Sequence, residues 1–314
     1  MNLTITELAP DRLPAVVELC GRALDLPDDS AEAAPIVDTL WARAAASRPV
    51  VPVGAYRDDQ LVGVLLGSVA APGGPHGHVD LIAVDPAHRR RGVARALLAH
   101  AEQRLAGLGA TEVLLAGNPP FYAWPGIDVR YTPAICAAEA LGYARDSTVW
   151  NMTADLSDDG SPALRTTAPA EERLAGQGMT VRRAEPADLP ALTTFVSGTF
   201  GGTWAAELAG SVGRDRAGCH LAERDDDLLG FAAWGSSRPS WFGPMGTAPA
   251  AEGSGIGGVL LRRCLADQRA AGIAMAQIGW VGPVRFYSGS AGAWIERVFF
   301  GYRRNLRDQS IRYE

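Results

Sequence analysis

Leu3 and Ile5 alternate with Thr4, Thr6 and Glu7, the period-two pattern of a half-buried strand. Pro10-Asp-Arg-Leu-Pro14 then opens an apolar-periodic run that predicts a helix ending near Leu24. Helical spacing resumes over Ile36 to Ala46. Strand-like runs follow at Val50 to Tyr56 and Leu61 to Val69, about a polar Arg57-Asp-Asp-Gln60 turn, and again at His78 to Val84 after a Pro72-Gly-Gly-Pro75 turn. Val93, Leu97, Leu98 and Leu105 mark one face of a further helix. Thr111 to Ala116 reads as a strand and Asn118 to Tyr131 as a loop rich in proline and aromatic residues. Pro133 to Leu141 reads as a helix and Tyr143 to Leu156 as a strand. Strands interleaved with helices in this way predict a mixed α/β fold.

Residues 157–178 are rich in Ser, Asp, Gly, Pro and Ala and break the apolar periodicity, which predicts a linker with a short helix near Glu171 to Ala175. The pattern then starts again. Thr180 to Ala191 matches Thr4 to Ala15 at a constant offset of 176, with Pro10 and Pro186, Leu13 and Leu189, Pro14 and Pro190 identical. Further on, Pro86 pairs with Pro249, Gly92 with Gly255 and Ala94 with Gly257, an offset of 163. From Pro133 and Pro283 the offset falls to 150, so the first copy carries 13 extra residues around Asn118 to Tyr131. Self-similarity at this length predicts two tandem domains, residues 1–156 and 179–314, joined by the linker at 157–178.

Composition narrows the chemistry. All 29 basic residues of the 314-residue chain are arginine, which excludes Schiff-base, pyridoxal-anchoring and Walker-lysine chemistry. The net charge of −6 without a long basic stripe disfavours nucleic-acid partners. Cys20, Cys136, Cys219 and Cys264 are scattered without metal-ligand spacing, so no metal is expected. No apolar run reaches membrane-spanning length and the first residues lack a signal-like core, which predicts a cytoplasmic protein without membrane contact.

The most informative stretch is Val84-Asp-Pro-Ala-His-Arg-Arg-Arg-Gly-Val-Ala-Arg95, a strand end that turns into a helix. A helix N-terminus offers unsatisfied N–H groups and a partial positive charge, and Gly92 and Ala94 let a diphosphate approach that backbone. Arg89, Arg90 and Arg91 add fixed charge. With Ala94, the run resembles the acyl-CoA signature, Arg or Gln-x-x-Gly-x-Gly or Ala, of the Gcn5-related N-acetyltransferases.

This resemblance implies two tandem acetyltransferase-like domains of mixed α/β class. It implies acetyl-CoA as co-substrate, held by Ile82, Ala83, Val84, Arg89, Arg90, Arg91, Gly92, Val93, Ala94 and Arg95, and in the second copy by Gly253, Gly255 and Gly257. A base on the fourth strand and a tyrosine acid near the following helix are also implied. Asp80 stands near the base position, with an ordinary solvent-facing aspartate as the alternative, and His78 is a weaker choice at the strand's exposed entrance. The repeat sets Ala137 opposite Tyr287, so an acid in the first half must come from Tyr131 or Tyr122, whereas Phe286-Tyr287 matches the family in the second. That second half has Glu252 where the signature begins and no carboxylate on Trp241 to Gly246. The expectation is therefore that the first half binds the donor, with the opposite assignment left open.

The implied activity is acyl transfer to an amine of a small molecule by direct attack. A longer acyl-CoA, an aminoacyl-tRNA donor or a catalytically silent CoA-binding module stands as the alternative. Either a monomer or a homodimer is compatible with the sequence.

Overall fold

The computed structural model describes residues 2–70 and 74–307; Pro72 and Gly73 of the predicted turn lie outside the described residues. The chain forms β1 (Leu3–Glu7), α1 (Leu13–Ala23), α2 (Pro27–Ala31) and α3 (Ala33–Val37), which runs on as a π-helical turn, Asp38–Arg43. There follow β2 (Val50–Arg57), β3 (Gln60–Val69), β4 (His76–Val84), α4 (Val93–Gly107), β5 (Glu112–Leu115), β6 (Ile127–Asp128), α5 (Thr132–Ala140) and β7 (Ala144–Asp155). The later chain adds α6 (Ala168–Ala175), β8 (Thr180–Arg183), α7 (Leu189–Thr199), α8 (Trp204–Ala209), β9 (Gly218–Arg224) and β10 (Asp227–Trp234). It ends with β11 (Trp241–Thr247), α9 (Ile256–Ala270), β12 (Met275–Ile278), α10 (Val284–Ala291) and β13 (Trp294–Asn305).

Contacts divide the chain into two units, the first reaching Val149 and resuming at Val298, the second running from Trp150 to Arg297. In the first, β1 to β4 pair antiparallel in chain order, β5 joins β4 in parallel, and Tyr302 to Asn305 of β13 pair antiparallel with β5. In the second, β8 to β11 pair antiparallel, β12 joins β11 in parallel, and Met152 to Asp155 of β7 complete the sheet beside β12. Composition alone puts the boundary at 156 and 178, but both final strands are 12 residues long, and each begins in one unit and ends in the other.

In the first unit α4 covers one face of the sheet with Val93, Leu97, Ala101 and Leu105, all buried against Val53, Val62 and Leu65. Each valine or leucine of this set contributes about 1.5–3 kcal/mol by leaving water. Gly63 permits the close approach, since a Cβ there would stand 2.8 Å from Val93 Cγ1. α1 and α3 cover the other face through Val16, Leu19 and Ile36, packed against Val64, Leu66 and Leu81. The second unit repeats the scheme with α9.

The stretch read as a linker is part of the second unit. Ala163 and Leu174 are completely buried in its core, and Glu171 of α6 pairs with Arg263 of α9 at 2.5 Å. Two apolar anchors in a polar, proline-rich stretch leave no periodic signal, which is why composition reads it as a spacer.

Candidate active site

β4 and β5 are paired only where His76, Gly77 and His78 face Glu112, Val113 and Leu114. Beyond that, β4 continues to Val84 while β5 ends at Leu115, so the β4 edge offers its main-chain groups to the space between them. A cleft of about 530 Å³ opens there, lined by Ile82, Ala83 and Val84, by the first turn of α4, and by Tyr131 and Ala137.

The alternation of β4 breaks at Asp80. Leu81 faces Leu66 and Val79 faces Gly67 on β3, which leaves Asp80 as the extra residue of a β-bulge. Bulges of this kind re-aim a side chain and bend the strand. Gly67 makes the bulge possible, because a Cβ there would lie 2.8 Å from the His78 carbonyl oxygen.

Asp80 lines the cleft, yet its carboxylate is enclosed. Ser68 Oγ donates to Oδ2 at 2.6 Å, and Oδ1 is buried with no hydrogen-bond partner among the described residues. Burial pushes the carboxyl up to about 7, against the opposing effects of the Ser68 hydrogen bond and the Arg48 charge. The solvent-facing alternative therefore fails, because the carboxylate is enclosed. His78 also differs from expectation: it is buried, with Nδ1 3.1 Å from the Ala116 carbonyl oxygen, and burial lowers it to about 4.

Gly92 caps α4 in the left-handed region at φ 79° and offers no side chain to the helix's first N–H groups. A Cβ on Gly92 would meet nothing within 4 Å, so this turn is open to an anion. Arg90 and Arg95 line the cleft beside it and are exposed; buried Val93 and half-buried Ala94 of the helix start also line it. Arg89 also lines the cleft, but its guanidinium is committed. It grips Asp25 through both Nη atoms at 3.0 Å, and its Nε donates to the Val84 carbonyl at 3.1 Å. Arg91 is exposed outside the lining, where its carbonyl accepts from Arg57.

Tyr131 lines the cleft just before α5, and its hydroxyl donates to Asp29 Oδ2 at 3.1 Å. Asp29 is fully buried and also accepts from Trp124 Nε1 at 3.2 Å. Tyr122 is buried and packs against the position of Gly117. The geometry thus brings together Asp80, Tyr131, Ile82 to Val84 and the Gly92 turn. Arg48, Ser68 and Asn118 behind Asp80, and Asp29 behind Tyr131, escape sequence reading. The one hint is that Asn118 opens the insertion peculiar to the first copy.

Tyr287, Gly253, Gly255 and Gly257 lie in the second unit. There the strand bulge recurs, between the pairs Ala232–Met245 and Trp234–Phe242, and the 163 offset sets Gly243 at the position of Asp80. The bulge survives without its carboxylate. Gly253 and Gly255 keep the left-handed turn at φ 76° and 96°. A Cβ on Gly255 would stand 2.8 Å from Arg173 Nη2, and one on Gly257 3.4 Å from the Phe286 ring. Tyr287 is buried in the core with its ring edge-on to Phe242 and Phe286, and burial raises its hydroxyl above the ordinary value.

Residues 18–123 match the family model described as Acetyltransferase (GNAT) family. A mycothiol acetyltransferase of Thermomonospora curvata is 32% identical over 192 residues, 57% of each chain, so the match spans less than two thirds of that relative. A tandem GNAT protein from the clavulanic acid biosynthesis pathway superposes with a TM-score of 0.67 at 17% identity, covering 97% of this chain and 98% of its own. A glucosamine N-acetyltransferase region of a fungal multi-domain β-N-acetylglucosaminidase gives 0.72 at 18% identity, over 96% of this chain and 38% of that one. Over residues 18–123 the chain is similar to the GNAT acetyltransferases, and along its length it has the tandem GNAT fold. Among the described residues no helix is long and apolar enough to cross a membrane.

Proposed function

We propose that the first unit transfers an acyl group, acetyl in the simplest case, from acyl-CoA to an amine of a small molecule. The observation that carries this reading is the coincidence, in one cleft, of an open left-handed helix start at Gly92 with an enclosed carboxylate at Asp80. The first can take a pyrophosphate, and the second is poised to take a proton near neutral pH.

In this reading Asp80 deprotonates the acceptor ammonium, and the neutral amine attacks the thioester carbonyl. Main-chain N–H groups on the freed edge of β4, around Ile82 to Val84, stabilise the oxyanion that forms. As the intermediate collapses, Tyr131 gives a proton to the departing thiolate and is reprotonated from solvent, while the nitrogen sheds its second proton to solvent to leave the amide. Direct attack is favoured over a covalent relay because no cysteine is among the described residues lining the cleft. The relatives' names, mycothiol acetyltransferase and glucosamine N-acetyltransferase, support acetyl as the group moved, and the second supports a small-molecule amine as acceptor. A cytoplasmic site of action fits a reaction that draws on acetyl-CoA.

The test is thiol release from acetyl-CoA in the presence of a panel of primary amines that includes glucosamine. Acceptor-dependent release that is lost in Asp80→Asn supports the reading. Donor binding without release across the panel would point instead to a catalytically silent CoA-binding module.

A further inference from the structure

Behind Asp80 stands a chain of polar groups drawn from four separate parts of the first unit. Arg48, just after the π-helical turn, donates from Nη1 to the Asn118 main-chain carbonyl at 2.9 Å. Asn118, at the start of the inserted loop, donates from its side-chain amide to Ser68 Oγ on β3 at 2.8 Å. Ser68 then donates its own proton to Asp80 Oδ2 on β4 at 2.6 Å. Arg48 pins the Asn118 main chain, and the last two bonds fix one another's direction: because the amide occupies one lone pair of the hydroxyl, the hydroxyl proton is committed to the carboxylate.

Arg48 is almost wholly enclosed, with its guanidinium over the Phe121 ring at 5.1 Å from the centroid. Burying a cation away from a partner is unfavourable by several kcal/mol, so its retention calls for a nearby anion. Asp80 is the carboxylate whose field acts on it. We propose that Arg48 is a positioning residue for Asp80, holding its carboxylate oriented through Asn118 and Ser68 and ionised through its own buried charge. The inference rests on Asp80 being the base of the reaction proposed above.

The groups facing Asp80 leave Arg48 as the source of this charge. From β3 comes neutral Ser68 and from the inserted loop neutral Asn118. On β4 itself His78 is neutral throughout the working range, since burial lowers it to about 4. A carboxylate in an apolar bulge would otherwise stay protonated at neutral pH and could not take up the acceptor's proton. The repeat supports the same assignment, because Gly243 stands where Asp80 would be and the second copy has no counterpart of the Asn118 insertion.

The test is a direct titration of Asp80 in the full chain by carbon-13 NMR of labelled aspartate, with Asp80→Asn identifying the resonance. In Arg48→Met the midpoint is expected to move up by about one pH unit or more, and Arg48→Lys should bring it back toward the wild-type value. An unchanged midpoint in folded Arg48→Met overturns the proposal. Should that variant fail to fold, the neutral Arg48→Gln decides by the same readout: an upward shift supports the proposal and an unmoved midpoint sinks it. Because the readout is independent of turnover, a shift seen in a protein that transfers no acyl group would uphold the positioning role while defeating the proposed function.

Discussion

The guanidinium of Arg173 lies over Gly255, so that a Cβ on that glycine would stand 2.8 Å from Nη2, whereas a Cβ on Gly92 would meet nothing within 4 Å. These glycines cap equivalent helices in equivalent left-handed turns. At α9 an approaching diphosphate meets the Arg173 side chain of α6 and the Phe286 ring beside Gly257; at α4 it meets open first-turn N–H groups. The two copies share the left-handed glycine cap before this helix, but only the first also carries a carboxylate at its bulge.

Tyr287 is accordingly expected to be a packing residue. Its ring is held edge-on between Phe242 and Phe286, and Tyr287→Phe leaves those contacts in place. Acyl transfer by this variant should stay within about twofold of wild type. A hundredfold loss in kcat would transfer the acid role to the second unit.

As the proposed base, Asp80 is expected to set the pH dependence of both rate and stability. Its carboxyl is held at about 7, so kcat/KM should rise with pH and level off above that value as the base ionises. The unfolded chain releases this proton near 3.9, so the folded protein binds it more tightly. The group therefore stabilises the fold at low pH, and the contribution is lost as pH rises from about 4 to 7. Asp80→Asn should lower kcat by about 100-fold or more while raising the Tm at pH 8 by several degrees. Parallel kinetic and thermal scans check both halves of this trade.

Buried His78 acts with the opposite sign. Its folded value near 4 lies below the unfolded one near 6.5, so its contribution to stability is present above about 6.5 and lost as pH falls toward 4. In Asp80→Asn, where the aspartate no longer offsets it, Tm should fall steadily over that window. A flat profile would mean that His78 is not held neutral by the fold.

The acid role of Tyr131 is tested by Tyr131→Phe together with Asp29→Asn. If Tyr131 protonates the thiolate, the phenylalanine variant should lose about 10- to 100-fold in kcat with little change in the KM for acetyl-CoA. Asp29→Asn should act in the same direction, because Asp29 fixes both the Tyr131 hydroxyl and the Trp124 indole. Rates unaltered in Tyr131→Phe would leave protonation to solvent.

Leu174 tests the structural role of the segment before β8. It is completely buried in the second unit's core, so Leu174→Ala should destabilise that unit by about 3 kcal/mol, read by urea denaturation. A change below about 0.5 kcal/mol would return the segment to the status of a spacer.

Much of the architecture was legible because the signals are local. Alternation in β1, the apolar runs of β2 to β4, the 3.6-residue spacing of α4, and the two fixed-offset matches need no knowledge of tertiary contacts. As candidates, Asp80 and the Gly92 turn were also within reach through the resemblance at their neighbours in sequence, and Tyr131, beside Tyr122, through the extra loop of the first copy. The rest depends on contacts between distant residues. The bulge that turns Asp80 aside is a property of its pairing with β3, and nothing in the sequence near 80 marks it. Arg48, Ser68 and Asn118 meet only in the folded chain, and His78 reads as surface until β5 and the Ala116 carbonyl enclose it. Arg89 carries the charge the signature asks for but uses it on Asp25, 64 positions away, which no local pattern reveals.

The central claim, that the first unit holds the donor, is tested most directly by calorimetric titration of acetyl-CoA into the wild type and into folded Gly92→Glu and Gly255→Glu variants. The account predicts binding to the wild type, its loss in Gly92→Glu where a carboxylate is set against the phosphate turn, and its retention in Gly255→Glu. Binding lost only in Gly255→Glu would contradict it and move the donor site to the second unit.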